Sequence, residues 1–343
     1  MHVLHLLSAG RLHSHPSGCE RAVQALLWAQ RASPEITADV HALSRGVPVR
    51  VQLVALLDAL RLAPGSVLHT HGHAANLLGR LARCVGAPMA RLVSSAYLPE
   101  DAGWRGSCAQ FFDALSGYLS SVCTVTDPFY ALQFPPGVRV EYIPHALPLI
   151  PVPSPALRAQ ARGAYGFAPE QFVVGTLHRL LPAKGIAEVL EAARFAVRWD
   201  RRDVTFVLAG EGPLQGLVEA AALELPNLRY LGYVEAPDTY LAGLDAFVHP
   251  VRRDGLSLAL LEAMRAASPI IATRAGATPA VLRDGFEAML IEPQDPMALA
   301  AAILRLADDR PYAQTLGEKA RERYLAEFQL ERQHRQFLSV YGG

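Results

Sequence analysis

Short apolar runs alternate with segments of helical period along nearly the whole chain. Val3-Leu4-His5-Leu6-Leu7, Ala38 to Leu43, Ser66 to His69, Arg91 to Ser95, Ser121 to Thr126 and Val138 to Ile143 read as strands. Between them, Glu20 to Ala32, Val49 to Leu62, Ala74 to Val85 and Cys108 to Leu119 read as helices. Five prolines from Pro144 through Pro155 then interrupt the pattern, a stiff segment short of backbone donors that reads as an interdomain linker. Beyond it the alternation resumes. Helix Ala156 to Tyr165 and strand Phe172 to Leu177 are followed by a helix to about Val197, then strands Val204 to Ala209 and Leu228 to Leu231. A short helix Pro237 to Ala242, strand Asp245 to His249, helix Ser257 to Ala267, a strand ending at Thr273 and strand Ala288 to Ile291 come next. Three helices close the chain, the last about Leu330 to Tyr341 with Phe337, Leu338 and Tyr341 on one stripe. Alternating strand and helix predict an α/β protein whose parallel sheets are covered on both faces. The linker predicts two domains, 1–148 and 149–327, with the terminal helix at about 328–343 belonging to the first.

Composition narrows the function classes. With 343 residues, 51% hydrophobic and 19% charged, the chain can build two sizeable cores. Residues 1–150 carry 11 Lys+Arg against 9 Asp+Glu, and the remainder 21 against 23, so neither part has the basic excess of a nucleic-acid binder. Cys19, Cys84, Cys108 and Cys123 have no metal or redox spacing. Met1-His-Val-Leu-His-Leu-Leu lacks the charged lead of a signal peptide, and no apolar run approaches the ~20 residues a bilayer span needs. The expectation is a cytoplasmic protein, with at most peripheral contact at the inner face of a membrane. Lys184 and Lys319 are the only lysines among 32 Lys+Arg, which singles out Lys184 where it sits in a strand-to-helix turn.

The candidate chemistry concentrates in the second half. Asp245 to His249 as strand, a polar turn at Asp254-Gly255, the helix from Ser257 and the next apolar run make a βαβ unit. Its first loop opens at the carboxyl end of a parallel sheet, where the amides of Gly255, Leu256, Ser257 and Leu258 suit an anion. Asp254 in the loop and Glu262 in the helix offer carboxylates to hydroxyl groups, as a nucleotide sugar requires. Arg179 and Lys184, five apart astride another strand-to-helix turn, suit a diphosphate. Gly210 in Gly210-Glu211-Gly212-Pro213 and Gly18 ahead of the first helix permit close backbone approach to a ligand. His69-Thr-His71-Gly-His73 reads as a polar strand-end loop rather than a metal site, because no cysteine or carboxylate adjoins it.

The segment Asp254-Gly255 to Leu261-Glu262-Ala263-Met264, with Pro269-Ile-Ile-Ala-Thr273 and Gly276-Ala-Thr-Pro279 after it, resembles the signature of the retaining GT-B glycosyltransferases of family 4, the glycosyl transferases group 1. Arg179-Leu180 to Lys184-Gly185 is similar to that family's Arg-Leu to Lys-Gly motif, and Ser17-Gly18-Cys19-Glu20-Arg21 to its first glycine turn. The resemblance implies two Rossmann-like domains facing across a cleft, the last helix crossing back to the first domain, and transfer of a hexosyl group from a nucleoside-diphosphate sugar. A UDP-sugar is favoured over a GDP-sugar, and the acceptor is a hydroxyl of a glycan, a lipid-linked glycan or a small molecule in cell-surface glycan or glycoconjugate synthesis. Arg179 and Lys184 would stabilise the leaving diphosphate, Asp254 hold the sugar, Glu262 the ribose, and the Val234 backbone read the base, with no metal and no cofactor. Three departures stand out: Asp254 for the usual Glu, His178 for Gly, and Ala96 where a His is usual. They leave as alternatives a non-catalytic nucleotide- or partner-binding paralogue and a GT-B sugar-nucleotide epimerase or phosphorylase; a two-domain solute-binding protein fits worse, for want of a signal peptide.

Overall fold

The computed structural model describes residues 1–7, 18–44, 46–98 and 104–342, with the side chains of 18, 19, 104 and 105 left aside. In chain order the strands and helices are β1 His2–Leu7, α1 Gly18–Arg31, β2 Thr37–Ala42, α2 Val49–Leu62, β3 Ser66–His71, α3 His73–Cys84, β4 Met89–Ala96, α4 Trp104–Leu115, β5 Val122–Val125, α5 Pro128–Ala131 and β6 Val140–Tyr142. There follow α6 Pro155–Tyr165, β7 Phe172–Leu177, α7 Ile186–Arg198, β8 Val204–Ala209, α8 Gln215–Glu224, β9 Leu228–Tyr230, α9 Pro237–Gly243, β10 Ala246–His249, α10 Leu258–Arg265, β11 Ile270–Thr273, α11 Thr278–Val281, β12 Met289–Ile291, α12 Pro296–Asp308, α13 Arg310–Glu327 and α14 Leu330–Gly342. Two compact units result, one of Met1–Pro148 with Gln329–Gly343 and one of Leu149–Phe328. None of the described helices is long and apolar enough to cross a membrane.

The first unit is a six-stranded sheet of order β2-β1-β3-β4-β5-β6, parallel throughout. Alternate residues serve opposite faces. Val3, Val67, Val93 and Val122 pack with Leu26 of α1 and with Phe337, Val340 and Tyr341 of α14. Leu4, Leu6, Leu68 and Leu92 pack on the other face with Leu56 and Leu60 of α2 and Leu78 of α3. Helix α14 is fixed further by Gln333, whose Nε2 donates to the Pro144 carbonyl at 2.7 Å.

The second unit repeats the design with order β12-β11-β10-β7-β8-β9, again parallel. Local signals set its helix ends. Ser154 caps α6 by accepting from the Leu157 amide at 3.2 Å, Pro155 follows in the first turn, and Gly166 closes the helix in the left-handed region at φ 64°. Asp295 and Asp309 cap α12 and α13 in the same way. Asp245, at the entry to β10, is a structural knot: it accepts from the Val173 amide at 2.7 Å and pairs with Arg158, Arg162 and Arg310.

Candidate functional site

In the second unit β7 comes first in sequence yet lies between β10 and β8, so strand order reverses there. Loops leaving the carboxyl ends of such strands diverge and open a crevice. Lys184 stands in the 3₁₀ turn after β7 and Asp254 in the loop after β10. The structure brings the two together: Lys184 Nζ lies 2.6 Å from Asp254 Oδ2, and each side chain is 17% exposed. Their loops touch through backbone. A Cβ on Gly185, at φ 70°, would stand 1.8 Å from the Pro250 carbonyl oxygen, and one on Gly276, at φ 55°, 1.9 Å from the Asp254 oxygen. Only glycine fits at either place. Gly210 is packed as closely, against the His178 carbonyl.

Arg179 is partly exposed beside these loops. Gly255 and Ser257 are partly exposed too, whereas Leu256 and Leu258 bury their side chains and have only backbone to offer a ligand. Ser257 is the N-cap residue of α10 but makes no side-chain cap, and the first turn holds no acid. The amide end of that helix is therefore not neutralised from within it. Glu262 lies in the second turn of α10 and is 1% exposed, deeper than Asp254. The Val234 side chain is also buried. Gly18 opens α1, but the loop at 8–17 that it was expected to join lies outside the described residues.

A pair of histidines that sequence reading did not connect backs the Lys184–Asp254 pair. His249, the last residue of β10, has its Nδ1 3.2 Å from Nε2 of His178, which follows β7. Its Nε2 points at Asp254 from 3.9 Å and has no hydrogen-bond partner, although the residue is fully buried. Burial first, and the Lys184 charge second, lower the His249 pKa to about 3. Burial, with the neighbouring His249 and Lys184, likewise drives His178 well below the usual imidazole range. His178 had been marked only as a departure from the family pattern. The available signal was that two adjacent buried strands each end at a histidine, and strand adjacency is decided by the fold.

At the corresponding end of the first sheet the histidine expectation needs correction. Strand β3 runs on to His71, and His69 and His71 are buried rather than displayed in a polar loop. His73 goes to the start of α3 and bonds Asp113 Oδ2 at 2.6 Å. The third imidazole of the cluster is His5 from β1, with ring nitrogens of the three within 4.8 Å. The alternation that serves Val3 and Val67 to the α1 and α14 side serves His5, His69 and His71 there as well.

Hydrogen bonds fix the tautomers of this cluster. His5 Nε2 donates to Gln30 Oε1 at 2.7 Å, so its Nδ1 accepts from His71 Nε2 at 2.9 Å. His71 Nδ1 in turn accepts from the Tyr97 hydroxyl at 2.9 Å. Gln30 Nε2 donates to the Tyr341 oxygen at 3.0 Å, Tyr341 donates to His69 Nδ1 at 2.7 Å, and His69 Nε2 donates to Ser95 Oγ at 2.7 Å. Ser95 passes on to Thr124 Oγ1 at 2.7 Å. Each imidazole is thus neutral with both nitrogens engaged. Burial lowers the His5 pKa to about 4 and those of His69 and His71 well below the usual value. Tyr97, Ser95, Thr124, His71 and His145 line one small pocket, so both ends of the polar circuit open on it. Ala96 buries itself on the other face, in a cluster with Val125 and Tyr130, and Tyr97, stacked on His145 at 5.5 Å, occupies the strand end.

Comparison with known proteins follows this geometry. Residues 169–309 match the family described as Glycosyl transferases group 1. A GDP-mannose-dependent alpha-(1-6)-phosphatidylinositol monomannoside mannosyltransferase of Mycolicibacterium smegmatis is 28% identical over 271 residues, covering 71% of this chain and 68% of that one. The lipopolysaccharide core biosynthesis mannosyltransferase of Rhizobium meliloti is 26% identical over 344 residues, covering 95% and 93%. Among solved structures, Anabaena HepE in complex with UDP superposes with a TM-score of 0.81 at 17% identity over 99% of both chains, a likeness of fold. The matched stretch contains both the Lys184 and the Asp254 loops, and the two parallel sheets are those of GT-B glycosyltransferases. The likeness to the Glycosyl transferases group 1 family thus runs through residues 169–309, and the fold is that of the GT-B glycosyltransferases.

Proposed function

We propose that this protein transfers a hexosyl group from a nucleoside-diphosphate sugar to an acceptor hydroxyl, with retention of anomeric configuration and without a metal or cofactor. The observation that carries the reading is the Lys184–Asp254 pair at the carboxyl ends of β7 and β10. A cation and a carboxylate at the strand-order reversal suit, respectively, a diphosphate and sugar hydroxyls. In this reading Lys184 and Arg179 take the charge that grows on the departing diphosphate, and the amides of Gly255 to Leu258 assist from the end of α10. Asp254 holds the sugar, Glu262 the ribose, and the backbone at Gly210 and Val234 lies along the nucleotide. The pocket of the first unit, whose described lining offers hydroxyls, imidazoles and apolar groups, suits an uncharged hydroxyl-bearing acceptor such as a glycan or lipid-linked glycan. UDP is favoured over GDP as the carrier: HepE binds UDP, while the M. smegmatis relative is named for GDP-mannose. The reaction belongs in the cytoplasm, with peripheral membrane contact where the acceptor is lipid-linked.

Calorimetric titration of UDP and GDP without divalent metal tests this. One nucleotide is expected to bind the native protein, and Lys184→Ala to weaken it at least tenfold, about 1.4 kcal/mol. No binding of either, or equal binding by the variant, would refute the mechanism. Binding without sugar transfer to any acceptor hydroxyl would leave the non-catalytic paralogue.

A further inference from the structure

The His249 ring nitrogen facing Asp254 is a buried polar atom without a partner, and such atoms are rare enough in native proteins to call for a physical reason. The neighbouring bonds show what is missing. The Val248 backbone favours a proton on His178, and in the tautomer that turns this proton toward the carbonyl it sits on Nδ1. Its Nε2 then accepts from His249 Nδ1, which leaves His249 Nε2 as a bare lone pair 3.9 Å from a carboxylate oxygen. Two acceptors face each other. One added proton on His249 Nε2 would complete the whole row, Val248 carbonyl, His178, His249 and Asp254, without breaking any bond now made.

What keeps that proton away is burial first and then Lys184, whose ammonium sits on the same Asp254 oxygen at 2.6 Å. The charged and titratable groups acting on His249 are Lys184 from the turn before α7, His178 from the end of β7 and Asp254 from its own loop. A diphosphate drawing Lys184 away would remove the opposing cation and leave Asp254 anionic without its partner.

We infer that the His178–His249 pair is a positioning device for Asp254: when a bound diphosphate takes Lys184, His249 takes up one proton from solvent at Nε2 and holds the released carboxylate in place for the sugar. The inference rests on the donor reading given above for Lys184. It also accounts for two histidines at adjacent strand ends where small or apolar residues would complete the core.

Proton counting tests it. An intact nucleotide sugar, UDP-glucose, or GDP-mannose if GDP is the nucleotide that binds, has a diphosphate with no oxygen titrating near neutral pH. Its binding is measured by calorimetry at neutral pH in buffers of different ionisation enthalpy. Uptake of about one proton per ligand is expected for the native protein, together with affinity falling up to tenfold per pH unit from above the low pKa of free His249 up to the pKa of the ligand-bound His249, and levelling off beyond it. His249→Leu is expected to abolish the uptake while nucleotide binding at Lys184 persists. The native protein needs no variant for the decisive count. Binding with no proton uptake overturns the inference alone, as does unchanged uptake in His249→Leu, whereas absence of any nucleotide binding overturns the donor reading and this one with it.

Discussion

The two sheets are built alike, but their carboxyl ends are finished differently. In the first unit three imidazoles, two tyrosines, Gln30, Ser95 and Thr124 satisfy one another in a neutral circuit, and no formal charge is placed in it. In the second, a lysine and an aspartate form an ion pair above two imidazoles that are left one proton short. The lesson is that a buried histidine is not informative by type. Satisfied on both nitrogens it is structural and neutral; facing a carboxylate with an empty lone pair it is poised to gain charge.

Acidification should divide the two units most strongly. His5, with its pKa at about 4, and His69 and His71, lowered well below the usual value, bind protons more weakly folded than unfolded, where the ordinary value is near 6.5. Their stabilisation is complete above pH 6.5 and is lost as pH falls toward 4, at up to about 1.4 kcal/mol per pH unit for each histidine. Three such groups in the first unit against His178 and His249 in the second predict that hydrogen exchange at β1 and β3 accelerates on acidification before that at β7 and β10. Simultaneous acceleration would remove the distinction.

The glycine contacts sharpen the comparison from the other side. Gly185→Ala places a Cβ into the Pro250 carbonyl at a left-handed φ, and a loss of at least about 2 kcal/mol is expected in denaturant unfolding. Gly86→Ala in the first unit, at φ 80° with nothing within 4 Å, bears the backbone cost alone, about 1 kcal/mol. Equal losses would mean that the loops around Lys184 are not locked to each other.

A third substitution probes the circuit itself. Tyr341→Phe removes the hydroxyl that joins Gln30 to His69, leaving a donor and an acceptor unpaired at a cost of about 1–3 kcal/mol. Greater exposure of α14 to exchange should accompany it, since the tyrosine anchors that helix on the α1 side. A variant as stable as the native protein would show that the circuit does not hold α14.

Much of this was written in the chain. Period-two and helical patterns specify β1 through β12 almost to the residue because a buried parallel strand must be apolar and a turn must hold glycine, proline or a polar residue. Asp254, Glu262, Arg179 and Lys184 could be named as candidates because they stand at fixed offsets from such turns, and of these the structure joins Lys184 to Asp254. Two things were not. His5 and His69 lie 64 residues apart in sequence and His178 and His249 71, and each pairing exists because a later strand inserts beside an earlier one in a parallel sheet. Nor could sequence show that Asp254 is already held by Lys184. Side-chain type announces what a residue can bind, but strand order and loop packing decide which partner reaches it first.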